Sequence, residues 1–113
     1  MKYLMLVCRD PSIELTPERR RTIGPEVQGW VQEMDGRGVR LQGQVLAGAQ
    51  DATTIRVRGG EVVIADGPFA ETKELIAGFD LLECADLDEA MEVAAQHPVA
   101  RLGALELRPF AEG

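Results

Sequence analysis

The chain has 113 residues, 45% of them apolar and 27% charged, with a formal net charge of −7. A chain of this size and ordinary globular composition can build one core without disulfides or metals, which excludes disordered, collagen-like and low-complexity classes and makes residues 1–113 a single domain. The acidic balance repels phosphate backbones and anionic lipid, so neither nucleic acid nor a membrane surface is an expected partner.

Tyr3 to Cys8 is a short, continuously apolar run, as expected of a central strand covered on both faces. No apolar run reaches the ~20 residues that cross a bilayer, and Met1 to Cys8 lacks a signal-peptide cleavage pattern, so a cytoplasmic protein is expected. Thr16 and Pro17 supply an N-cap and a first-turn proline. Ile23, Val27, Trp30, Val31 and Met34 then recur at helical spacing, which predicts a helix over 17–36. Gly24-Pro25 predicts a kink or restart in its first half, because proline lacks an N–H and crowds the preceding turn. Arg19-Arg20-Arg21, standing among Glu18 and Glu26, reads as a solvated face.

Gly36 and Gly38 end this helix, and Val39 to Ala47 is a weaker strand. Thr53 to Arg58 alternates, with Ile55 and Val57 on one face and Arg56 and Arg58 on the other. Gly59-Gly60 turns it into Glu61 to Asp66, a two-residue hairpin. After a loop at Asp66 to Lys73, Ile76 to Cys84 is strand-like, with Ala77, Phe79 and Leu81 on one side and Gly78 and Asp80 on the other. Asp86 caps a second helix, with Glu89 in capping-box position and Leu87, Ala90, Met91 and Ala94 as its apolar stripe up to Pro98. Ala104 to Arg108 is the last strand.

The order βαβ, hairpin, βαβ is that of an α+β fold, a ferredoxin-like two-layer sandwich with extra strand length in the middle. Both helices cover one face of the sheet. Val63, Phe79 and Leu107 exceed what two helices can bury, so the second face requires a cover, most simply a face-to-face homodimer.

The most unusual segment is Asp66-Gly67-Pro68-Phe69-Ala70-Glu71-Thr72-Lys73-Glu74. Asp-Gly-Pro-Phe followed by Glu-Thr-Lys-Glu resembles the signature of the DGPF group of YCII-related proteins, and the resemblance runs from the opening Met-Lys-Tyr strand to Glu106-Leu107-Arg108-Pro109. It implies a ferredoxin-like fold pairing into a dimeric α/β barrel with a pocket in each half. Most members of that group are uncharacterised. The wider family includes proteins proposed to be enzymes through a His-Asp pair, the His lying about eleven residues before the glycine that ends the first helix. Counting back from Gly38 reaches Val27, so that pair does not transfer to this chain.

Asp66-Gly67-Pro68 reads structurally as a turn in which Asp accepts backbone N–H bonds and Gly takes a positive φ. Read functionally, Asp66, Glu71 and Lys73 are ligand-binding candidates that project into a cleft, a carboxylate beside an ammonium orienting a substrate or relaying a proton. Asp66, Lys73 and His97 are the catalytic candidates. His97 is the single histidine, but it follows the stripe of the second helix and precedes Pro98, where a capping role suffices. Trp30 and Met34 fall on the apolar stripe of the first helix and read as core. Cys8 and Cys84 read as buried reduced thiols. One histidine and two isolated cysteines make no metal set, and no flavin, nicotinamide or phosphate motif is present, so neither metal nor cofactor is expected.

Two functions fit. One is a cofactor-independent small-molecule enzyme of proton-transfer, isomerase or lyase type, or a ligand-binding protein, with its pocket near the Asp66 to Lys73 loop. The other, implied by the resemblance, is a non-catalytic regulatory or interaction module associated with an extracytoplasmic-function sigma factor.

Overall fold

A computed structural model describes residues 1–67 and 75–111. Along the chain run β1 (Lys2–Arg9), α1 (Pro17–Gly36), β2 (Arg40–Val45), β3 (Thr53–Arg58), β4 (Glu61–Asp66), β5 (Leu75–Glu83), α2 (Leu87–Ala95) and β6 (Gly103–Pro109), with 3-10 turns at Ala49–Asp51 and Pro98–Arg101. Four strands form an antiparallel sheet in the order β2-β5-β1-β6, the split βαβ arrangement of a ferredoxin-like α+β fold. β3 and β4 pair only with each other, as a separate two-stranded sheet.

The helix limits follow from local chemistry. Thr16 Oγ1 accepts the Arg19 N–H at 3.1 Å, and Asp86 Oδ1 accepts the Glu89 N–H at 2.9 Å, so each helix starts on a side-chain cap. Glu89 reaches back to the N–H of Ala85 rather than of Asp86. α1 runs unbroken through Pro25, so of the expected kink or restart the restart does not occur. Pro25 and Arg21 are both exposed. Water can therefore satisfy the carbonyl that Pro25 leaves without a donor, and the ring crowds no packed neighbour.

Alternation sorts the sheet into two faces. Tyr3, Met5 and Val7 of β1 and Leu82 of β5 meet Trp30 and Met34 of α1 and Ala90, Val93 and Ala94 of α2 in one core. Both helices thus cover the same face. Trp30 Nε1 donates to the Val93 carbonyl at 3.0 Å, which locks the helices together with the indole's polar atom satisfied. Cys8 and Cys84 are buried thiols that form no disulfide. Leu4, Leu6, Phe79 and Leu81 occupy the helix-free face, half-buried and outside the core. Leu107 pairs with Met5 and packs on the core side, and Val63 belongs to the separate hairpin. Of the three residues expected to need a second cover on that face, Phe79 alone lies there.

Candidate functional site

The helix-facing side of the sheet loses side-chain volume toward one end. Along β5 it presents Leu82, then Asp80, then Gly78; β2, the neighbouring strand, presents Arg40, then Gly43. A Cβ on Gly43 would collide with the Asp80 carboxylate and come within 2.8 Å of the Phe79 carbonyl oxygen, and one on Gly78 would lie 2.9 Å from the Gln44 carbonyl oxygen. With no side chains to pack on there, the front half of α1 stands off. Ile23, Val27 and Val31 are half-buried, whereas Trp30 and Met34 are buried. Two adjoining hollows of about 590 and 440 Å³ result, both lined by Val7, Ala77 and Val99, and together they form a cleft between α1 and the sheet. Their volumes fall in the range of small-molecule sites.

The inner hollow is walled by Val7, Val27 and Val31 and has a polar corner at Arg40, Asp80 and His97. Asp80 is 6% exposed. Arg40 Nε donates to its Oδ1 at 2.7 Å, and Arg40 Nη1 donates to Asp35 Oδ1 at 3.1 Å, tying β2 to β5 and to the last turn of α1. Burial pushes the Asp80 carboxyl above the usual carboxylate range, against the opposing pull of Arg40. The outer hollow opens among Ile13, Leu15, Ile23 and Leu102, with Arg9, Asp10, Glu14 and Arg20 around it. Arg20 therefore borders the cleft, beyond the merely solvated role expected of the arginine cluster.

His97 is 3% exposed. Its Nδ1 accepts the Val99 N–H at 3.0 Å, so it caps the following 3-10 turn, and its ring meets Trp30 edge-on at 4.7 Å. Burial lowers its pKa to about 4. The expected cap is present, made by a neutral ring that accepts a bond at the start of the 3-10 turn. Because Nδ1 accepts, Nε2 carries the proton, and His97 offers a ligand a donor rather than a strong base at neutral pH.

Asp66 is exposed at the end of β4. Beside it, Gly67 donates its N–H to the Ala52 carbonyl at 2.7 Å and its carbonyl accepts from Thr54 Oγ1 at 2.8 Å, extending the β3–β4 pairing, while Pro68 of the expected turn lies outside the described residues. Glu71 and Lys73 lie outside the described residues. Of the two described candidates, Asp66 and His97, His97 lines the cleft and Asp66 does not. Arg40 and Asp80 went unrecognised, although an acidic residue at an inward position of the apolar run Ile76 to Cys84 was a signal for Asp80.

The YCII-related domain family matches residues 1–112. This chain belongs to that family. It is also 48% identical over 62 residues to an uncharacterised protein of Rhizobium meliloti (strain 1021), a match taking in 53% of this chain and 50% of the relative. The YCII-related chain thus aligns with half of that relative's length. Among the described residues no helix is long and apolar enough to cross a membrane, and no three His, Cys, Asp or Glu side chains are grouped to hold a metal ion.

Proposed function

We propose that this YCII-related chain binds a small molecule with an apolar body and a polar head in the cleft between α1 and the sheet, acting as a cofactor-independent enzyme of proton-transfer, isomerase or lyase type. The observation that carries the reading is the ion pair of half-buried Arg40 with buried Asp80, set into an otherwise apolar hollow that Gly43 and Gly78 keep open. Apolar walls with few convergent polar groups are the usual make-up of such sites. A carboxyl whose pKa is raised by burial stands closer to the pH at which proton transfer is efficient, and the neutral His97 adds a donor. This places the site apart from Asp66.

A metabolite library screened by amide chemical shifts tests it. Binding should move the Gly43, Gly78 and Val99 amides together and leave Gly59 and Gly60 in place. Ligands that move the Asp66–Gly67 amides while leaving those of the cleft fixed would overturn it.

The reading includes a homodimer that buries the helix-free sheet face. Leu4, Leu6, Phe79 and Leu81 form a contiguous apolar block there, across two neighbouring strands and outside the monomer core. Phe79→Asp should give monomer or aggregate by sedimentation, because a carboxylate would be desolvated without a partner. A dimer undisturbed by this change would refute the assignment of that face.

A further inference from the structure

The β3–β4 hairpin contributes no residue to the core. Its register sets Ile55 opposite Ile64 and Val57 opposite Val62, so the four β-branched side chains form one patch on one side of the hairpin. They are between 57% and 65% exposed. The strands make their extensive contacts with each other, and none of the four joins the core. Gly59 and Gly60, at φ 59° and 82°, close the tip in the tight turn that holds this register. A lone two-stranded hairpin is marginally stable in water, so such a patch requires a cover.

The molecule as a whole reflects this arm. Its radius of gyration is 16.1 Å, against about 13 Å for a compact chain of this length. The bonds from Gly67 to Ala52 and Thr54 fasten the arm at its base. Anionic lipid is a poor cover for a chain of net charge −7 with Asp66 on the same side of the hairpin as Ile64.

We propose that the arm is a clasp for a second copy of this chain, laying Ile55, Val57, Val62 and Ile64 on the partner's helix-free sheet face. The inference rests on the homodimer reading and names what covers that face. Both uncovered surfaces are on the page: the arm is two strands wide, and the apolar block of Leu4, Leu6, Phe79 and Leu81 also spans two strands, β1 and β5. Their supply matches one to one, so a two-fold exchange leaves neither uncovered. Six-residue strands at ~3.3 Å per residue make an arm face about 20 Å long and about 10 Å wide. Each copy gives one such face and receives one, about 400 Å² of planar contact, which side-chain relief raises toward the ~800 Å² per partner of a standard interface.

The test mixes full-length protein carrying ¹³C-labelled methyl groups with unlabelled protein, refolds them together and records isotope-filtered NOEs. Labelled Ile55, Val57, Val62 and Ile64 methyls should show contacts to unlabelled Leu4, Leu6 and Phe79. A dimer without arm contacts in that spectrum would overturn the clasp and leave the dimer standing, whereas a wild-type monomer by sedimentation at the same concentration would overturn both. As a second measurement, the double variant Ile55→Lys, Ile64→Lys leaves the core untouched and should raise the dimer Kd by roughly 100-fold or more. An unchanged Kd with native circular dichroism would also refute the clasp.

Discussion

Acidification should destabilise this protein through His97 before its carboxylates matter. The ring is 3% exposed, accepts the Val99 N–H at Nδ1 and has its pKa lowered by burial to about 4, against an ordinary 6.5. Between those values the unfolded chain binds a proton that the folded chain refuses, so stability falls as pH falls from about 6.5 toward about 4. With two states, the loss relative to pH 8 is roughly 1 kcal/mol at pH 6 and about 2 kcal/mol at pH 5, approaching about 3 kcal/mol at pH 4. Protonation would also place a donor at Nδ1 against the Val99 N–H, which works in the same direction.

Urea denaturation from pH 8 to pH 5 reads this slope, and the single histidine makes it separable. His97→Asn keeps a side-chain acceptor for Val99 and removes the titration, so the wild-type minus variant difference isolates the linkage. NMR titration of the imidazole Cε1 proton gives the folded pKa directly. A difference that stays flat across the range, or an imidazole titrating near 6.5, would refute the buried neutral ring.

The remaining expectations concern the cleft and the turn. Arg40→Met leaves Asp80 buried without its guanidinium and should cost about 3 kcal/mol at pH 7–8; because the Asp80 pKa then rises further, the deficit should shrink as pH falls through it, as urea titrations of both proteins would show. Gly43→Ala pushes a methyl onto the Asp80 carboxylate and toward the Phe79 carbonyl, and should cost about 1–3 kcal/mol by thermal denaturation, with loss of any ligand response in the cleft. Asp66→Asn, at an exposed position at the end of β4, should stay within about 0.5 kcal/mol of wild type and leave ligand shifts at Gly43 and Gly78 unaltered.

Much of the fold was legible because it is locally determined. The Thr16-Pro17 start, the Ile23 to Met34 stripe and the Gly36-Arg37-Gly38 end delimit α1, and Gly59-Gly60 fixes the hairpin register. What the pattern could not show is pairing at a distance. The apolar run in β4 marks residues to be covered, not where the cover is, so Val63 was expected on the helix-free face when its strand had left the sheet. The same gap hid the cleft. Arg40 and Asp80 lie forty residues apart and meet only because β2 adds to the edge of β5, while Gly43 and Gly78 each look like an incidental glycine until those strands are side by side. His97 was recognised as a cap, but its neutrality comes from burial, which depends on tertiary packing such as the edge-on contact with Trp30, sixty-seven positions earlier in the chain.

The cleft and the arm arise at one end of the sheet. At the other end Tyr3, Met34, Leu82 and Val93 fill the space between the layers, and Trp30 bonds α1 to the end of α2. Toward Arg9, Val45 and Gly103 the helix-facing side chains give way to Gly43 and Gly78, and it is here that the chain leaves β2 for the arm and later returns into β5. A fold tight at one end and hollow at the other can hold its shape while its site adapts, because opening the hollow end breaks few buried contacts. The arm joins that end through Leu46, whose N–H donates to the Ala77 carbonyl at 2.9 Å on the cleft wall. The partner copy proposed to hold the arm would thereby also restrain the strands flooring the cleft, so the proposed assembly and the proposed ligand binding would be coupled through one local loss of packing.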